Sequence, residues 1–207
     1  MKNAAPASIP WKQILSSSQM WILSLSYFCY GYSLAVYLDW FPKYLTAERG
    51  FSIGKTGLYA SLPLFAGTLG DICGGWASDL LAHRIGLTWA RRSVAVTGFL
   101  LAAVAILAAC FAADPIHSVW FSCVAMFALE LTVGVSWAIP LDIGGDVAGS
   151  VSAVMNTLGN MGGAVATTIS GYLVKYYGWS ATFIVMSVLS VIAAVLFLRI
   201  DAEKKIA

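Results

Sequence analysis

Six apolar runs, residues 20–38, 53–77, 94–112, 119–139, 147–174 and 181–198, follow one another along the chain with little between them. A helix rises about 1.5 Å per residue, so about 20 residues cross a hydrocarbon core of about 30 Å. The runs are of that order, the first somewhat short and the fifth long enough to carry ends outside the bilayer. Lipid offers backbone groups no hydrogen-bond partner, which leaves only helices or closed barrels as spanning structures. Runs of this length exclude barrel strands, which need only about 9–11 residues. The expected fold is an all-α membrane protein with a six-transmembrane-helix bundle over residues 20–199. A polar linker, 1–19, precedes it and a short charged tail, 200–207, follows. Composition agrees: 59% of the 207 residues are hydrophobic and 11% charged, against about a quarter charged in an ordinary soluble domain.

The basic residues orient the bundle. Lys2, Lys12, Arg84, Arg91, Arg92, Arg199, Lys204 and Lys205 fall on one side of a six-span topology, and Lys43, Arg49, Lys55 and Lys175 on the other. The positive-inside tendency then places both termini in the cytoplasm, and the expected location is the plasma (inner) membrane, crossed several times. The run at 20–38 does not read as a signal peptide, because no small-residue cleavage pattern follows it. Cys29, Cys73, Cys110 and Cys123 lie in or near the runs without a CxxC pair and read as buried thiols. "AADPIH" reads as a tight turn, and in "KYYGWS" Gly178 reads as a helix end and Ser180 as a new N-cap. The two halves show no convincing internal repeat, although three-plus-three nesting is compatible with such a chain.

Polar residues inside apolar runs are the candidates for function. Asn156, Asn160, Gly163 and Thr167 share one helical stripe. Interhelical amide bonds worth roughly 0.6–2 kcal/mol can explain one such residue by packing alone; two amides one turn apart beside glycines better suit a polar lining for a passing solute. Glu130 falls near the middle of its run, where an ionised carboxylate is costly and usually functional; the alternative is a hydrogen-bonded structural acid. Glu130, Gly134 and Trp137 lie on one face. Trp137 is either a donor and stacking surface for a ligand or an interfacial anchor. Tyr27, Tyr30, Leu34 and Tyr37 form a further stripe, with Tyr30 central in depth, while Tyr37 and Trp40 suit a gate or an aromatic belt.

No GxSxG, HExxH, phosphate-loop or dinucleotide pattern is present. His83 and His117 fall on opposite sides of the topology. No catalytic residue, metal site or cofactor is therefore expected, and a net charge of +2 without a basic patch implies no nucleic-acid partner.

The stretches "PWKQILSSSQMW", "YFCYGYSLAVYLDWFPKYL", "RGFSIGKTGLYASLPLFAGTLGDICGGWASDLL", "ARR" and "NTLGNMGGAV" together resemble the anion:cation symporter branch of the major facilitator superfamily. The resemblance is to the C-terminal six helices of a twelve-helix carrier. It implies half of a major facilitator fold, with a separate or missing N-terminal six-helix half as partner. It also implies transport of a small organic anion, a sugar acid or an aromatic carboxylate, by alternating access and usually with a co-transported proton. The family's charged residues most closely tied to proton coupling belong to the other half. Carried over residue by residue, the resemblance places Asn156 and Trp137 near the substrate. The stripes themselves make Tyr30 and Asn160 the further substrate-binding candidates, and Glu130, which matches no invariant family glutamate, a proton or polar-cavity group. "GGWASD" and the arginines after it resemble the superfamily's GxxxD loop signature. Gly75, Asp79, Arg84, Arg91 and Arg92 then form a conformational latch, and Asp71 either lines the cavity or serves the latch. The contrasting expectation is a six-helix interaction or regulatory subunit, or a truncated product that transports nothing.

Overall fold

A computed structural model describes residues 9–206. The helices are α1 (Trp11–Ser16), α2 (Ser18–Ala35), α3 (Phe41–Ala47), α4 (Ile53–Ile85), α5 (Leu87–Phe111), α6 (Pro115–Gly144), α7 (Ala148–Tyr177) and α8 (Trp179–Phe197). A π-helical turn, Val36–Trp40, runs α2 into α3, and a 3-10 turn, Gly145–Val147, joins α6 to α7. The long crossings therefore number six among the described residues.

The helices outrun the apolar runs at most ends, because a helix continues past the point where its side chains turn polar. Backbone chemistry sets the real ends. Gly86, Gly145 and Gly178 adopt φ of 83°, 49° and 79°, a region glycine enters without the Cβ clash, and each separates two long helices. Gly178 also stands at the N-cap of α8, so Ser180 lies inside the helix rather than capping it. Before α6, Asp114 Oδ1 accepts from the backbone N–H groups of Ile116 at 2.7 Å and His117 at 3.3 Å, and Pro115 occupies the first helical position where its missing donor costs nothing.

Among the described residues four segments are long and apolar enough to cross a membrane: Ser18–Ala47, Leu87–Phe111, Pro115–Tyr177 and Trp179–Phe197. The third, 63 residues long, folds back at the 3-10 turn and supplies both α6 and α7. The sixth crossing is α4, whose 33 residues extend about 50 Å. It falls short in apolarity because Asp71, several glycines and small hydroxyl residues interrupt its aliphatic side chains.

The packing has an internal symmetry that the sequence hides. α2 lies along α7 and α4 along α6; α5 packs on α6 and α8 on α2; α5 also packs on α8. Exchanging the first three long helices (α2, α4, α5) for the last three (α6, α7, α8) maps these pairs onto one another. The two long pairs also close in the same way. A Cβ on Gly31 would overlap the Gly159 carbonyl and one on Gly162 the Phe28 carbonyl, while one on Gly74 would overlap the Leu131 carbonyl. Small residues at crossings let backbones touch. Because a missing side chain carries the symmetry, sequence similarity does not reveal it.

The terminal segments are less free than their composition suggests. Residues 1–8 and 207 lie outside the described part, but Ile14 of α1 is fully buried, as are Ile200 and Ala202 of the expected tail. Gln19 at the start of α2 donates to the Arg199 carbonyl and accepts from the Asp201 N–H at 2.7 Å. Thr88 of α5 donates to Asp201 and Glu203, and the Ile206 N–H reaches the Ile143 carbonyl at 2.8 Å. The segment 200–206 is thus laid across the ends of α2, α5 and α6.

Candidate functional site

The stripe on α7 and the stripe on α2 meet. Tyr27, Tyr30 and Leu34 from α2, with Asn156, Asn160 and Gly163 from α7, line an open cavity of about 180 Å³. The close approach of Gly31 to Gly159 brings the two walls together at this level. Asn160 Nδ2 donates to the Asn156 carbonyl at 2.9 Å, which holds its amide against its own helix. The Asn156 side chain is exposed and has no hydrogen-bond partner among the described residues. Thr167, last in the stripe, lies beyond the cavity and donates to Asp39 Oδ2 at 2.8 Å.

Trp137 is not part of the cavity wall but is joined to it. Its indole N–H donates to the Tyr27 hydroxyl at 2.9 Å, and the two rings stand edge to face with centroids 6.2 Å apart. Tyr27 in turn stacks on Tyr30 at 5.1 Å. The Tyr30 hydroxyl donates to Glu130 Oε1 at 2.8 Å. Glu130 leans on Gly67 of α4, where a Cβ would come within 2.9 Å of its Cγ. Gly134, on the same face of α6 as Glu130 and Trp137, packs on Gly75 of α4. One α6 face therefore touches two helices, α4 through its glycines and α2 through Glu130 and Trp137.

Tyr37 leaves the α2 stripe. The π turn inserts an extra residue into the helical repeat and rotates Tyr37 away from Leu34, so that it is buried against Phe41 at 5.4 Å. Trp40 packs edge-on to Trp179, with Lys43 Nζ over its ring at 4.5 Å. Cys29 and Cys123 are buried and Cys110 partly so, but Cys73 is exposed. Cys73 belongs to the side of α4 that also bares Ile72 and Trp76, which no other helix among the described residues covers.

At the far end of α4, Arg91 is the hub of the charged cluster. Its side chain is 8% exposed. Nη1 donates to Ser78 Oγ and Asp79 Oδ1, both at 2.9 Å, and Nε donates to Asp142 Oδ2 at 3.1 Å. The remaining arginines are elsewhere. Arg84 is exposed and makes no ion pair among the described residues. Arg92 donates to the Ile200 carbonyl and lies over the Trp89 ring at 5.2 Å. Asp142, which sequence reasoning missed, joins α6 to α4 and α5 through Arg91, and Lys205 of the terminal segment donates to its backbone carbonyl. An acid just past the end of an apolar run, facing the most basic connection, was the available signal.

The sequence model of the family described as Major Facilitator Superfamily matches residues 2–167 and 84–207. The chain belongs to the major facilitator superfamily. Its relatives include a probable sulfoacetate transporter of Cupriavidus necator, 39% identical over 178 residues, which cover 86% of this chain and 41% of that protein. The hexuronate transporter of Bacillus subtilis is 30% identical, with 92% of this chain matched to 46% of its own length. A probable galactarate/D-glucarate transporter of Escherichia coli is also 30% identical, at 99% and 46%. The chain spans less than half the length of these relatives, which are transporters of organic anions. A six-helix bundle of this superfamily, crossing the bilayer several times, is half of the fold.

Proposed function

We propose that this chain is the C-terminal half of a secondary active transporter that moves a small organic anion by alternating access, coupled to a proton. The observation that carries the reading is the half-formed cavity between α2 and α7. Its volume of about 180 Å³ is below the roughly 300–1,000 Å³ of small-molecule sites, and the described residues leave it open. Its polar lining is phenol and amide, without a lysine or arginine. The cation that captures a carboxylate or sulfonate then comes from the N-terminal half, while this half reads the rest of the solute. The relatives' sulfoacetate, hexuronate and galactarate or glucarate support an acid of that class, within which a sugar acid or aromatic carboxylate fits the aromatic wall.

In this reading Asn156, Asn160 and Tyr30 touch the substrate, and Trp137 acts through Tyr27 or directly on an entering sugar face. Gly75, Asp79, Arg91 and Asp142 work as a latch that holds one conformation, with Arg84 and Arg92 beside it. Both termini lie in the cytoplasm and the bilayer is the plasma membrane. Proteoliposomes are the test, loaded with this chain alone or with the N-terminal half of the Cupriavidus relative beside it. Uptake of sulfoacetate or a hexuronate is expected only from the pair. Failure of the pair to take up or bind either anion, with both halves folded, would favour a non-transporting regulatory subunit or truncated product.

Asn156→Ala separates binding from packing. Loss of one substrate hydrogen bond removes roughly 0.5–1.5 kcal/mol, a several-fold to tenfold weakening of affinity, with the melting temperature unchanged. Unchanged affinity together with a clear fall in melting temperature would make Asn156 a packing residue.

A further inference from the structure

We propose that Tyr30 and Glu130 form a proton-operated donor switch, in which a proton taken up by Glu130 releases the Tyr30 hydroxyl to bind the anion. The inference rests on the organic-anion reading above and adds a site for the coupled proton in this half of the carrier.

Hydrogen counting gives the mechanism. A phenol carries one proton, and an ionised carboxylate only accepts. While Glu130 is ionised, the single Tyr30 proton is committed to Oε1 at 2.8 Å. Tyr30, which lines the cavity beside Asn156 and Asn160, then offers an incoming anion lone pairs only, next to a negative charge. When Glu130 takes a proton from water, its new O–H can donate to the phenol oxygen. The Tyr30 O–H bond stays intact and turns toward the cavity as a donor. One proton is gained per anion, no covalent bond of Tyr30 breaks, and one local negative charge is neutralised before the anion enters. Tyr27 is the control built into the site: it accepts from Trp137, so its own proton is free in both states.

The surroundings suit such a role. α6 is packed against α2, α4, α5 and α7. From α2 the titratable groups toward Glu130 are Tyr30 and Tyr27, and from α4 the group is Asp71, whose field reaches it. α5 holds Arg91 on Asp79 and Asp142 and Arg92 on the Ile200 carbonyl, and α7 keeps its ionisable side chains from Tyr172 onward. No cation therefore pairs with Glu130 among the described residues. Ionisable residues within membrane-spanning segments mark substrate or ion pathways and proton relays.

Two measurements test the switch. The first uses this chain alone in lipid nanodiscs and follows the infrared carbonyl stretch of protonated carboxyls between acid and alkaline pH. One such band is expected to vanish in Glu130→Gln and to shift in Tyr30→Phe; a spectrum unaltered by both substitutions would overturn the proposal. The second measures sulfoacetate affinity and proton uptake in the two-half carrier across a range well above the ordinary carboxyl pKa, where the probe's own charge is constant. Glu130→Gln is expected to take up one proton fewer per anion and to lose the part of the pH dependence, about tenfold per pH unit, that one linked proton produces. The glutamine amide can donate to Tyr30 as the protonated acid does, so this variant should hold within about threefold of the low-pH affinity throughout. Tyr30→Phe is expected to weaken binding about three- to tenfold at low pH and little at high pH. A proton count unchanged in Glu130→Gln, or equal weakening by Tyr30→Phe at both pH values, would overturn the switch while leaving anion transport intact. A folded carrier that binds neither sulfoacetate nor a hexuronate at any pH would overturn the organic-anion reading itself.

Discussion

Replacing Arg91 with alanine is expected to destabilise the bundle by about 3 kcal/mol, near the lower end of what removing one partner from a buried ion pair costs. The reason is what remains. Asp142 has a side chain only 17% exposed, and without Arg91 its carboxylate keeps no guanidinium at 3.1 Å; Ser78, fully buried, loses its partner as well. For a protein of this length such a loss corresponds to a fall in melting temperature on the order of 6–12 °C. Asp79 has a side chain 71% exposed, so Asp79→Asn should cost less than about 1 kcal/mol, as exposed pairs do. Arg91→Lys should fall between, because an ammonium cannot serve Ser78, Asp79 and Asp142 with a fixed fork of donors. Thermal unfolding of the purified variants checks the ranking. If Asp79→Asn destabilises as much as Arg91→Ala, the cluster is not organised around a buried arginine. As a latch, Asp79 should instead act on rate. Asp79→Asn should slow uptake by the completed carrier and leave equilibrium affinity within a few-fold, and a large loss of affinity at normal conformational exchange would move Asp79 into the binding site.

That cluster also shows where sequence reading succeeds and where it stops. The six crossings are legible because length and apolarity are summed over about 20 residues at a time, so local errors average out. α4 is legible even though Asp71 and its glycines dilute the signal. The stripe Asn156, Asn160, Gly163 is legible for a related reason: 3.6-residue periodicity holds along an uninterrupted helix, and α7 is uninterrupted. On α2 the same argument fails after Leu34, because a π turn changes the repeat and carries Tyr37 to a different neighbour. Pairings between helices are harder still. That Arg91 rather than Arg84 or Arg92 joins Asp79, and that Asp142 completes the cluster, depends on how α5 is rotated against α4 and α6, which no single helix encodes. The bonds of Tyr27 to Trp137 and Tyr30 to Glu130 are of this kind. Each residue stood out alone as a polar group in an apolar run, and the partner followed only from the packing.

Adjacent glycines on α4 give the second large effect, because the packing assigns them opposite roles. Gly74 is buried and a Cβ there would run into the Leu131 backbone carbonyl on α6, whereas a Cβ on Gly75 would meet nothing within 4 Å. A backbone carbonyl cannot rotate out of the way as a side chain can, so Gly74→Ala must push α4 from α6 along one of the two long pairs of the bundle. Overpacking of this kind costs about 1–3 kcal/mol, and Gly74→Leu should exceed that and leave little folded protein. Gly75→Ala should be neutral or stabilise the isolated chain by up to about 1 kcal/mol, the difference in helix propensity. Melting temperatures of the two variants in detergent decide the matter. A neutral Gly74→Ala beside a damaging Gly75→Ala would mean that α4 is rotated by one residue from the packing described here. The open side of Gly75 matters further, because it shares α4 with exposed Ile72, Cys73 and Trp76 on the surface that the described residues leave uncovered. If the N-terminal half docks there, the methyl group of Gly75→Ala should leave the fold of this half intact and still reduce assembly or uptake when both halves are present. The two adjacent positions thus test separately how the bundle packs on itself and whether the proposed N-terminal half docks on this side of α4.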